Sequence, residues 1–163
     1  MGAVVKAHYG RGAAAITPAK DHVRYMVHRS DEWGNRQHRD IWGNVEVDKR
    51  AAYGELDQAV EDGRYVYRVI LSPDPRTQDA DKTTLDLRSW GEAVMAEAEA
   101  EHPGLRWFAV EHEDKEHRHV HVVALTAQRF TVDDFQSMRG AADANANGQL
   151  RLRERDLDRE LDR

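Results

Sequence analysis

The stretch "EHEDKEHRHVHVVAL", residues 111–125, places four of the chain's nine histidines within ten positions: His112, His117, His119 and His121. Its second half alternates histidine with valine. Side chains alternate across a β-strand, so His117, His119 and His121 face one way and Val120 and Val122 the other. The preceding segment "LRWFAVEH" is also strand-like, and a short polar turn joins the two. The pattern predicts an antiparallel hairpin, with His112 near the end of its first strand.

Two histidines at i and i+2 lie about 6.6–6.8 Å apart at Cα. Their side chains are long enough to converge on one ion at metal–nitrogen distances of about 2.0–2.1 Å. A third ligand from the neighbouring strand completes a His112, His119, His121 set. Such a set leaves coordination positions open for water or a phosphate oxygen, as a catalytic metal requires. The ligating form is neutral imidazole, so affinity is expected to fall as pH drops through about 6.5. A solvated polar strand face is the competing account. His117, at the turn edge, is given no role. Asp114 is a candidate to orient a liganding histidine from outside the set, or simply a turn aspartate.

The rest of the chain supplies partners for a sheet. Strands are expected over 4–9 and 64–72. A helix is expected over 17–29, with Thr17 as its cap and Pro18 at its first position; Ala19, Val23, Met26 and Val27 form its apolar stripe. Residues 30–44 read as a long polar loop. Helices are expected over 51–62, ending at Gly63, and over 85–102, stopped by Pro103-Gly104. Thr131 with Asp134 three residues on opens another helix. "ADANANGQ" (142–149) reads as a flexible break, and 150–163 as a charged helix leading into a further C-terminal region. The domain reading is therefore 1–141, followed by a tail over 142–163. The fold class expected is α+β, a central antiparallel sheet of about five strands flanked by helices.

At 163 residues the chain is one domain's worth. It has no cysteine, which excludes disulfides and thiolate metal sites and fits a reducing compartment. It shows no leader and no run of about 18 apolar residues, so a cytoplasmic protein without membrane insertion is expected. The net charge is −6, yet residues 1–50 carry nine Lys/Arg against six Asp/Glu, plus four histidines. A basic face on an acidic molecule is compatible with nucleic acid.

"HEDKEHRHVHVV" resembles the third motif of plasmid and conjugative relaxases, the mobilisation nucleases of the HUH endonuclease superfamily. The shared features are a first His, an Asp two residues on, and a His-x-His followed by aliphatics. The family usually has Pro before His-x-His, where this chain has Arg118. "YRVILSPDP" (67–75) is similar to the family's strand ending in Ser-Pro. "WGEAVMAEAEAEHPGLRWFAVEH" resembles its helix and the strand delivering the first His. "DHVRYMVHR" resembles its first motif, which makes Tyr25 the candidate nucleophile. All five tyrosines precede the histidine hairpin, the order relaxases show. The resemblance covers roughly residues 15–125. Independently of it, Tyr25 lies off the apolar stripe, with Asp21, His22, His28 and Arg29 as its helical neighbours. Tyr9 is the reserve, and Tyr65 and Tyr67 share a strand face and are expected to pack.

The resemblance implies a metal-dependent relaxase (Mg²⁺ or Mn²⁺). It would nick and rejoin single-stranded DNA at an origin of transfer through a 5′-phosphotyrosine on Tyr25. Accessory relaxosome and secretion proteins would be its partners. Arg24, Arg29, Arg36 and Arg39 are candidate backbone contacts. Trp33 and Trp42 are candidate stacking platforms for unpaired bases, or buried anchors. Two other classes stay open. "HRHVHVV" nearly matches the signature of histidine-triad nucleotide hydrolases, broken by Arg118. A metal-stabilised module that binds origin DNA without cutting it is the non-enzymatic reading.

Overall fold

The computed structural model describes residues 2–31, 33–35, 38–114 and 117–162. Five antiparallel strands form one open sheet in the order β1-β3-β5-β4-β2. They are β1 (Val4–Arg11), β2 (Trp42–Gly43), β3 (Tyr65–Ser72), β4 (Arg106–Glu113) and β5 (Arg118–Thr126). Helices α1 (Ile16–His28) and α2 (Lys49–Glu61) cover one face. Helices α3 (Leu87–Glu101) and α4 (Val132–Leu161) cover the other. The fold is α+β, as expected from the sequence, and the histidine strand β5 is its centre. Among the described residues no helix is long and apolar enough to cross a membrane.

Strand alternation builds two cores. Val120, Val122 and Ala124 of β5, with Trp107 and Ala109 of β4, join α3 and α4. Val123, Leu125, Phe108 and Val110 join α1 and α2. His112, His119 and His121 follow this second parity and lie under α1, not in solvent. The stripe of α1 is the one its spacing predicts: Ala19, Val23, Met26 and Val27 are all buried.

Helix starts follow their chemistry with one correction. Thr17 does not cap α1. The helix grows out of a 3-10 turn at Ala13–Ala15 and begins at Ile16, with no side-chain cap. Pro18 still falls in the first turn, where its missing N–H has no helical partner to lose. Asp48 and Asp86 cap α2 and α3 by accepting from Ala51 N and Ser89 N. Thr131 and Asp134 form the reciprocal capping box expected of α4, at 3.1 and 2.7 Å. Thr131→Ala should therefore cost about 1 kcal/mol, measured by urea unfolding; an unchanged midpoint would remove the box from the stability of α4.

The expected break at 142–149 is absent: α4 runs through it unbroken. The run of small residues that looks like a linker is a packing face. Ala142 and Ala146, one turn apart, are buried with Met138 beside α3. Trp90 of α3 donates its indole N–H to the Ala142 carbonyl at 3.0 Å. Asp143 accepts from Ala3 N at 2.9 Å and from Gln78 Nε2 at 2.7 Å. Small side chains let the helices approach closely, and tertiary contacts outweigh the weak helix propensity of Asn and Gly. The tail begins only after this contact, where Leu152, Leu157 and Leu161 are exposed.

Candidate metal centre

Antiparallel pairing sets His112 of β4 directly opposite His119 of β5, and His121 opposite Val110. All three rings are buried. His121 sits between the other two, at ring-centroid distances of 4.3 Å to His112 and 4.8 Å to His119. The Nε2 atoms of His119 and His121 are 3.0 Å apart. Two nitrogens bound to one ion at about 2.0–2.1 Å are separated by about 2.9–3.4 Å at bond angles of 90–110°, so this spacing suits a shared ion. One nitrogen from each histidine lies within 4.8 Å of the others, close enough to hold a metal ion.

The unused atoms fit the same reading. His112 Nε2 donates to the Met26 carbonyl at 2.6 Å, which leaves Nδ1 as the nitrogen of that ring able to bind an ion. The Nδ1 atoms of His112, His119 and His121 are buried without a hydrogen-bond partner. Buried nitrogens without partners are costly; an ion held by His112 Nδ1 with the Nε2 atoms of His119 and His121 would offset that cost at His112. The donor set therefore fits a metal ion.

Burial holds these rings neutral. It lowers the pKa of His112 and of His119 to about 4. His121 drops to about 2, through burial first and then the proximity of His112 and His119. His22 is lowered to about 4, by burial and then by Arg68. On unfolding each returns to about 6.5. Between about 6.5 and 4 the unfolded chain takes up protons that the folded chain refuses, so stability falls on acidification. Each such ring tilts the curve by about 1.4 kcal/mol per pH unit. Denaturant midpoints of the metal-free protein should drop steadily from pH 7 to pH 5; a flat profile would mean the rings are hydrated. Metal affinity should likewise persist well below 6.5, the threshold that free imidazole suggests.

Tyr25 stands beside this cluster. The Met26 carbonyl that accepts from His112 ties α1 over the histidine strands, and Tyr25 is the next residue back. Its ring is 48% exposed and lies 5.8 Å from His112 and 6.1 Å from His121. The Arg29 guanidinium sits 5.8 Å from the Tyr25 ring centroid. Tyr9 is elsewhere. It pairs across β1 and β3 with Tyr67, whose side chain belongs to the α3–α4 core. Tyr9 therefore occupies the sheet face opposite the histidines, where its hydroxyl accepts from Arg129 at 2.8 Å. Tyr67 packs as expected and accepts from Phe130 N.

A cleft of ≈ 740 Å³ has His112 on its wall and is also lined by Trp33, Arg39, Arg88 and Asp114. Trp33 is 78% exposed and free to stack. Arg39 donates to the Arg29 carbonyl at 2.7 Å, which braces the two arginines. Arg24 is exposed and pairs with Asp21 at 3.3 Å. Arg36 lies outside the described residues. Trp42 is 6% exposed, meets Trp107 edge-on at 5.7 Å, and covers Gly91 so closely that a Cβ there would approach its ring to 2.8 Å. Of the two roles considered for Trp42, its packing supports the buried anchor, and the residue also lines the cleft.

Asp114 does not hydrogen-bond a ligand of the cluster. Its Oδ2 is 3.9 Å from His119 Nδ1, beyond hydrogen-bond reach. It holds His117 instead, with Oδ1 3.2 Å from both the backbone N and Nδ1 of that residue. Arg118, at the position where relaxases usually have Pro, forms a two-point ion pair with Asp79 at 2.7 and 3.0 Å. That pair fastens the start of β5 to the loop before α3. One site residue escaped the sequence reading. His22 lies 5.4 Å from His121 and stacks near Tyr25 at 6.4 Å, with a buried, unpartnered Nε2. Its three-residue offset from Tyr25 was the available signal. No protein-family model, curated protein or solved structure matches this chain.

Proposed function

We propose that the chain is a DNA relaxase that nicks and rejoins single-stranded DNA through Tyr25. One observation carries the reading: a half-exposed tyrosine stands within about 6 Å of two of three converging buried histidines, on their side of the sheet. The Tyr25 hydroxyl attacks the scissile phosphorus, the bond to O3′ breaks, and the departing oxygen takes a proton. The products are a 5′-phosphotyrosine and a free 3′-OH. One ester replaces another, so the step is reversible and rejoining needs no nucleotide. Arg29 supplies positive charge beside the incoming phosphate, and Trp33 offers a face for an unpaired base. A divalent ion held by His112, His119 and His121 would offset the charge that builds on the phosphate. The all-nitrogen donor set favours Mn²⁺ over Mg²⁺, which prefers oxygen.

The histidine-triad alternative needs the middle residue, His119, as an accessible nucleophile, and His119 is buried. The test is incubation with a 3′-labelled random single-stranded oligonucleotide library and Mn²⁺, followed by a denaturing gel. Label should migrate with the protein. Cleavage without an adduct indicates a metal hydrolase, and binding without cleavage the non-enzymatic module; either result overturns the proposal.

A further inference from the structure

We infer that the chain binds two metal ions, the second held by Asp114, His117 and the far nitrogen of His119. This builds on the metal centre of the proposed function and not on its tyrosine chemistry. His119 is the hinge of the argument. Its Nε2 is 3.0 Å from His121 Nε2 and belongs to the inner set. Its Nδ1 points the other way, buried and without a hydrogen-bond partner, although only 6% of the residue is exposed. What Nδ1 meets is the Asp114 carboxylate at 3.9 Å. That gap is too long for a hydrogen bond. It is within the span of about 4.2 Å available to two ligands on one ion at bonds of about 2.1 Å.

The third ligand is in place. His117 Nδ1 lies 3.2 Å from the other Asp114 oxygen, a separation that also suits two ligands of one ion. Nitrogen and carboxylate atoms of Asp114, His117 and His119 all fall within 4.8 Å of one another. Asp114 and His117 are tied to each other: Asp114 N donates to the His117 carbonyl at 3.0 Å, and His117 N donates to Asp114 Oδ1. Lys82 donates to the Asp114 carbonyl, but its charge is matched by Glu113 at 3.1 Å. The two sets differ in character. The inner one is three buried neutral imidazoles with no anion among them. The outer one adds a carboxylate and a partly exposed histidine, so it both balances charge and opens to solvent. With both ions bound, His119 would ligate through both ring nitrogens, and its ring proton would pass to solvent.

The experiment is Zn²⁺ titration of the full chain, read by calorimetry and native mass spectrometry. The parent should bind two ions. His117→Ala, a change at a partly exposed side chain, should bind one, with the inner affinity within about twofold of the parent. His121→Ala should lose the inner ion and keep the outer. His119→Ala should weaken both. A single ion in the parent, two in His117→Ala, or loss of only one in His119→Ala overturns the inference. Two ions without a tyrosine adduct would leave it standing and remove the relaxase reading; one ion with an adduct would do the reverse.

Discussion

Tyr25→Phe should abolish the covalent protein–DNA adduct and the nick together, by at least about a thousandfold. The substitution deletes one oxygen from a ring that is half exposed, so the packing of α1 is untouched. That packing rests on Ala19, Val23, Met26 and Val27 and on the bond from His112 to the Met26 carbonyl. Metal binding should persist, because no histidine is altered. DNA affinity should persist as well, since most of it comes from phosphate contacts rather than from one hydroxyl. Tyr9→Phe should change none of these, because Tyr9 is on the opposite sheet face. Peptide mapping of the adduct should place the nucleotide on the fragment containing "YMVHR". Nicking that survives in Tyr25→Phe would require water as the nucleophile, and the tyrosine mechanism would fall.

What the sequence disclosed depended on how local the cause was. The alternation of His119, Val120, His121 and Val122 fixes which side chains face which layer, and the structure keeps that parity. The apolar stripe of α1 and the capping box of α4 are equally local, and both appear as read. The misreadings share a different cause. The run 142–149 has loop-like composition, and only its contact with Trp90, Ala3 and Gln78 makes it helix. Trp42 sits in a polar loop, and nothing nearby in sequence reveals that Trp107 and Gly91 wait to receive it. Asp114 is close in sequence to three histidines, but the turn directs its Oδ1 to His117 and leaves its Oδ2 3.9 Å from His119. Arg118, which interrupts the resemblance, forms an ion pair with Asp79, 39 residues away in sequence, a contact that local sequence does not disclose. His22 was visible as a neighbour of Tyr25, yet its place against His121 depends on how α1 crosses the sheet.

His121→Ala should weaken Mn²⁺ binding at the inner site by at least about a hundredfold, a larger loss than removal of a residue outside the ligand set produces. The variant is best made in a His117→Ala background, so that only the inner set can answer. His121 is the most telling of the three because it is nearest both others, and its Nε2 is the atom facing His119. His112, by contrast, also ties down α1 through the Met26 carbonyl, so its removal would mix metal loss with helix displacement. Strand β5 keeps its place without the ring, since Ile70 and Val110 pair with position 121 through the backbone. Thermal unfolding gives a second readout. Mn²⁺ at a hundred times its dissociation constant should stabilise the His117→Ala parent by about 2.7 kcal/mol, and the double variant by almost none. Without metal the order should shrink or reverse at pH 5. There the parent still refuses a proton at a ring held near pKa 2, while the variant has no such ring to bury. Equal Mn²⁺ affinity in the two chains would show that His121 is a core residue and that the ion, if bound, sits elsewhere.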